Sequence, residues 1–146
     1  MWNQGHERAN ESRKHLAVAT YCLVAIDCPD PAALARFYQN VLGGEVTQDS
    51  DNRFDLHAPG GARIAFQRAP DHRPPEWPSG DLNSQQEHLD FKVTDMERAH
   101  REVLEFDATP LDVDDRNGER DFRVFANPAG HPFCLCRERN GLGRVP

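Results

Sequence analysis

The chain has 146 residues, 38% of them hydrophobic, and a formal charge of −7. That length fits one domain whose core needs no disulfide staples. The acidic balance and the lack of a basic run argue against nucleic acid or an anionic membrane as partner, and no apolar run reaches the length of a membrane span.

Residues 1–19 are mostly polar, read as a flexible tail, and show no apolar signal-peptide core. Tyr21 to Asp27 (YCLVAID) predicts a strand apolar on both faces. Asp30 then caps a helix that begins at Pro31. Leu34, Phe37, Tyr38, Val41 and Leu42 give that helix one apolar stripe, and Gly43–Gly44 ends it. A short strand from Glu45 to Thr47 and a hairpin from Phe54 to Gln67 follow. Residues 68–86, with Pro70, Pro74, Pro75 and Pro78, predict a linker or a loop over a pocket. His88 to Val93 alternates: Leu89, Phe91 and Val93 on one face, His88, Asp90 and Lys92 on the other. Thr94 to Glu97 has the form of a capping box. The helix it opens buries Met96, Ala99, Val103 and Phe106. Pro110 to Val113 predicts a short strand, Asp112 to Asp121 a solvated charged loop, and residues 138–146 a polar tail.

The last hairpin, Phe122 to Cys136, repeats the first. Pro59 and Gly61 recur 69 positions later as Pro128 and Gly130. Ile64, Ala65, Phe66 and Gln67 fall on Phe133, Cys134, Leu135 and Cys136. Leu23 to Asp30 recurs as His88 to Asp95 with an offset of 65. The chain is therefore an internal duplication. Each half is strand, helix, three strands, and each exposes an apolar face that only the other half can cover. The expected fold is α+β: two βαβββ modules, residues 20–67 and 87–137, joined by the proline-rich loop 68–86. Together they make a curved mixed sheet around a half-barrel cleft, with helices outside.

This order resembles the vicinal oxygen chelate superfamily, which includes glyoxalase I, bleomycin-resistance proteins and extradiol dioxygenases. The strings ALARFYQNVLGG, RPPEWP, QQEHLDFKVTD and FANPAGHPFCLC resemble its small glyoxalase-like domains. In metal-dependent members, four side chains from the first and last strand of each module converge in the cleft. Carried onto this chain, those positions are Leu23, Ala65, His88 and Cys134, or Gln67 and Cys136 after a slip in register. Only His88 is a usual ligand type, and a lone His with a Cys falls short of the three protein ligands of a catalytic zinc site.

The expectation is therefore a metal-independent protein without a cofactor, holding a small apolar or aromatic molecule in the cleft. His88 is its polar anchor or general acid/base. Leu23, Ala65, Gln67, Cys134 and Cys136 shape the floor, Trp77 is a rim residue or an anchor for the linker, and Gln86 reaches the ligand or caps the sheet edge. The duller reading of His88 is an imidazole that orders Gln86 or Asp90, and that of the cysteines is small apolar filler. Alternatives stay open: a metal-dependent lyase or dioxygenase with ligands from Gln67, His57 or a partner chain, an antibiotic-sequestering binder, or a dimeric structural protein. The resemblance also implies a homodimer. Cys22, Cys28, Cys134 and Cys136 form no CxxC pair and read as reduced thiols of a cytoplasmic protein.

Overall fold

A computed structural model describes residues 17–78 and 83–138. Apart from residues 17–19 and Glu138, the two expected tails lie outside the described residues. The duplication read from the sequence recurs element by element. Strand β1, Val24–Cys28, returns as β5, Leu89–Val93. Helix α1, Pro31–Leu42, returns as α2, Met96–Glu105. Strands β2 (Glu45–Ser50), β3 (Arg53–His57) and β4 (Arg63–Arg68) return as β6 (Thr109–Asp112), β7 (Phe122–Ala126) and β8 (Pro132–Arg137). Each module forms a mixed four-stranded sheet, ordered β1-β4-β3-β2 and β5-β8-β7-β6. In each, the first strand runs parallel to the last and lies at the sheet edge.

Both helices start alike. Asp30 accepts a hydrogen bond from the Ala33 backbone N–H at 3.0 Å, and Asp95 accepts from Arg98 at 3.0 Å. The cap of α2 is thus Asp95 and not Thr94. Glu97, which would have closed a capping box, turns instead to Arg123. Strand β1 begins three residues later than Tyr21, because its pairing with β4 starts only at Val24, opposite Ile64. Gly44 follows α1 at φ +96, where a Cβ would stand 2.2 Å from the His57 carbonyl oxygen, so only glycine lets β2 turn beside β3 there.

One core serves both modules. Tyr38 of α1 stacks on Phe66 of its own sheet, with centroids 5.7 Å apart. It meets Phe91 and Phe133 of the other sheet edge-on at 5.9 and 6.3 Å. Phe37 touches Phe133 at 5.7 Å. Leu34, Leu56, Met96, Val103, Phe125 and Leu135 fill the rest. Each such buried side chain contributes about 1.5–3 kcal/mol, which neither module could gather alone. As the alternation predicts, Cys134 and Cys136 leave the opposite face of the second sheet. There they pack with Val124, Phe122 and Trp77. Trp77, half-buried, thus pins the linker onto that face, as the anchoring reading expects.

The loop Asp112 to Asp121 is not simply solvated. Asp115 is buried and accepts hydrogen bonds from Arg123 Nε at 2.9 Å and Arg137 Nη2 at 2.5 Å. Arg123, also buried, pairs in addition with Glu97 of α2. These guanidinium hydrogen bonds, resisted by burial, hold the Asp115 carboxyl down at about 2. No helix among the described residues is long and apolar enough to cross a membrane.

Candidate functional site

Strands β1 and β5 each end a sheet, so each leaves one backbone edge unpaired. Between these edges lies a cavity of about 550 Å³. Val24 to Asp27 form one wall, His88 and Leu89 another, and the linker residues His72, Arg73, Pro75 and 83–87 a third. Tyr38, His131 and Pro132 close it. The linker is seated by a steric fit: Gly130, in the last hairpin turn at φ +92, would carry a Cβ 2.4 Å from Pro74 Cβ. A side chain there would lift the linker.

Polar groups at the closed end are held tightly. Asn127 Oδ1 accepts hydrogen bonds from the backbone N–H groups of Ala129 and His131 at 2.9 and 3.2 Å. Its amide donates to Tyr38 Oη at 2.8 Å, tying the second hairpin to helix α1. His131 bonds the Asp27 backbone of β1, a further tie between modules. Its ring lies 4.8 Å from that of His72, whose Nε2 donates to the Ala129 carbonyl at 3.0 Å. Burial, reinforced by His72, lowers the His131 imidazole to about 4. His131 is therefore neutral over the working range. Tyr38 is pushed up by burial and stays protonated. These groups are bonded to one another and serve as frame. Gln85 differs, because its Oε1 is buried without a hydrogen-bond partner among the described residues, in a residue that lines the cavity.

Of the expected site residues, the cavity brings together His88 and Gln86, the latter at φ 55. Gln67, half-buried, offers its backbone oxygen to Cys28 Sγ at 3.7 Å and lies outside the lining, as does Leu23. Ala65 is fully buried on β4, between Ala25 and Asp55. Trp77, Cys134 and Cys136 pack on the sheet face beside the cavity.

His88 continues onto that face. Its Nε2 stands 3.3 Å from Asp90 Oδ1, and Asp90 is the Cα partner of Cys134 across the parallel β5–β8 pair. One donor atom from each of His88, Asp90 and Cys134 lies within 4.8 Å of the other two. Asp90 Oδ1 is buried and accepts no aligned hydrogen bond among the described residues. Burial raises the Cys134 thiol, and the Asp90 charge raises it further. Tetrahedral zinc, with bonds of about 2.0–2.3 Å, spaces its donors roughly 3.3–3.6 Å apart. The His88–Asp90 pair already has that spacing, and with Cys134 Sγ within 4.8 Å of both, the donor types suit a divalent ion. Of the four positions carried over from metal-dependent relatives, Leu23 and Ala65 supply no donor atom.

Sequence reasoning missed His72, Asn127 and His131, and counted Asp90 only as a neighbour. The duplication held the signal. The turn bond from Ala58 N–H to Ala62 O recurs as Asn127 N–H to His131 O, both 2.9 Å. Polar side chains thus stand in the second copy where the first has alanine.

Comparison with known proteins agrees with the topology. The profile of the glyoxalase-like domain matches residues 23–136. The fosfomycin resistance protein FosX of Listeria monocytogenes superposes with a TM-score of 0.65 at 12% identity, covering 86% of this chain and 96% of that one. A mutant of it, solved in complex with Mn(II) and 1S,2S-dihydroxypropylphosphonic acid, gives 0.62 at 13% identity, covering 82% and 90%. A glyoxalase family protein of Enterococcus faecalis gives 0.56 at 27% identity, covering 82% and 98%. No curated protein sequence matches.

Proposed function

The chain belongs to the glyoxalase-like domain family, and from that premise we propose that it binds a small molecule in the cavity between β1 and β5, with His88 as the polar anchor. The observation that carries this reading is the cavity itself. It is about 550 Å³ in volume, lies between two unpaired sheet edges, and includes a buried Gln85 acceptor with no hydrogen-bond partner among the described residues. His72, Arg73, Asn83, Gln85, Gln86 and His88 face Val24, Ile26 and Leu89 across it. That mixture suits a ligand with several oxygens or nitrogens beside an apolar part, more polar than the apolar or aromatic molecule expected from sequence. Gln85 Oε1 would accept a ligand N–H or O–H, and His88 would exchange a proton with the ligand or bond it. Action as a cytoplasmic homodimer is part of the same reading, and light scattering tests the pairing.

The test is a screen of polar fragments by protein-observed NMR, with hits titrated against the parent chain, His88→Ala and Gln85→Ala. Loss of a buried hydrogen bond to a neutral group costs about 0.5–1.5 kcal/mol, so each variant should weaken a hit roughly 2- to 10-fold. Hits that bind both variants as tightly as the parent would remove the anchor, and with it the reading.

A further inference from the structure

We propose that His88, Asp90 and Cys134 form a divalent-metal site built wholly within the second module, and that its donors favour zinc or cobalt over magnesium or manganese. The three side chains project from adjacent strands onto one sheet face, with their donor atoms within 4.8 Å of one another. The duplication isolates the feature. The same three places in the first module, 65 residues earlier for β5 and 69 for β8, hold Leu23, Ala25 and Ala65. Their pairing is equivalent, Ala25 opposite Ala65 as Asp90 is opposite Cys134. Equivalent strand pairing thus carries only hydrocarbon in one copy and an N, O, S donor set in the other.

A hydrogen-bonded structural cluster accounts for part of this, but among the described residues it leaves the buried Asp90 Oδ1 with the His88 Nε2 approach at 3.3 Å and no aligned hydrogen bond. A cation would satisfy that oxygen. An ion can enter from the cavity, since the His88 and Asp90 side chains keep 26% and 19% exposure. Cys134, at 1%, closes the far side. A sulfur ligand beside an imidazole suits zinc or cobalt, whereas magnesium and manganese prefer oxygen donors. Three protein donors leave a tetrahedral ion one open position, and the ion would supply Lewis-acid polarisation of a ligand oxygen there. Asp90 does the work that the first module's positions, Leu23 and Ala65, cannot do. The inference deepens the cavity reading at the same imidazole.

The experiment is a cobalt titration of the full metal-stripped chain, followed by absorbance, with no organic ligand present. One Co2+ per chain is expected, with a thiolate-to-cobalt charge-transfer band. Cys134→Ser should abolish the band, and Cys22→Ser, at an exposed thiol, should leave it intact. Loss of an outer-shell partner lowers metal affinity about 10- to 100-fold, so His88→Ala and Asp90→Asn, which remove ligands, should each exceed about 100-fold. Zinc should displace the cobalt and excess manganese should not. No band in the parent, a band that survives Cys134→Ser, unchanged affinity in Asp90→Asn, or displacement by manganese would each overturn the proposal. The parent's band already requires a thiolate ligand, so an unfolded variant does not shield the claim. Failure here leaves the fragment result standing, and failure of the fragments leaves this titration standing.

Discussion

Replacing Asp115 by Asn should destabilise the chain by about 3 kcal/mol, near the lower end of the range for a broken buried ion pair. The size follows from the contacts. A carboxyl moved from its ordinary 3.8 to about 2 gains roughly 2 kcal/mol from its ionised state. The remainder comes from Arg123, only 7% exposed, which keeps just the outward Glu97 as a charged partner. Arg137 is better solvated and adds little. Urea unfolding at pH 7, parent against variant, measures the difference. The sign of its pH dependence is fixed. A lowered folded-state value means the stabilisation is whole above about pH 4 and is lost as pH falls toward 2. The two unfolding curves should therefore converge over that interval. A difference under about 1 kcal/mol at pH 7, or one that does not shrink in acid, would refute the reasoning.

Gly130→Ala should dislodge the linker, because its Cβ would meet Pro74 at 2.4 Å and φ is +92. The left-handed backbone alone costs about 1–2 kcal/mol, and faster proteolysis within residues 68–86 should accompany it; unchanged proteolysis counts against the seating. Tyr38→Phe removes the acceptor of the buried 2.8 Å Asn127 bond and should cost about 1–3 kcal/mol in thermal or urea unfolding. Parent-like stability would mean that this bond does not couple the modules. His131 loses stability as pH falls from its ordinary 6.5 toward about 4, since only the unfolded chain takes up the proton. His131→Asn should flatten the stability profile across that range, and an unchanged slope would contradict the assignment. For the thiols, burial raises Cys28 and Cys136 to about 11 and Cys134 further, while Cys22 is exposed. Native protein should titrate one fast thiol with an aromatic disulfide and four after denaturation; a second fast native thiol would contradict the burial of the other three.

The fold was legible because duplication and alternation are local signals. The offset of 65 placed α2 and β5, the offset of 69 placed β7 and β8, and the period of two sent Cys134 and Cys136 away from Phe133 and Leu135. The site was legible only where a strand's alternation aimed a side chain, as with His88. His72, Asn127 and His131 escaped because turn residues have no period, and their partners lie in the linker, in helix α1 and in β1. Asp90 was visible as a residue of the right face, but its nearness to Cys134 depends on parallel register across more than forty residues of chain, which alternation does not reveal. The same reasoning separates Asp115 from its acidic neighbours. Nothing in DVDDRNGERD marks which carboxylate folds inward until Arg123 and Arg137 are in place.

Where a small molecule binds is the most direct test of the cavity between β1 and β5. Backbone amide shifts of the folded chain, titrated with the best polar fragment, would show it. The predicted changes centre on Val24 to Asp27, His72 to Pro75, Asn83 to Leu89 and His131, and weaken in His88→Ala. Changes centred on strands β2, β3 or β6 with those segments silent would contradict it.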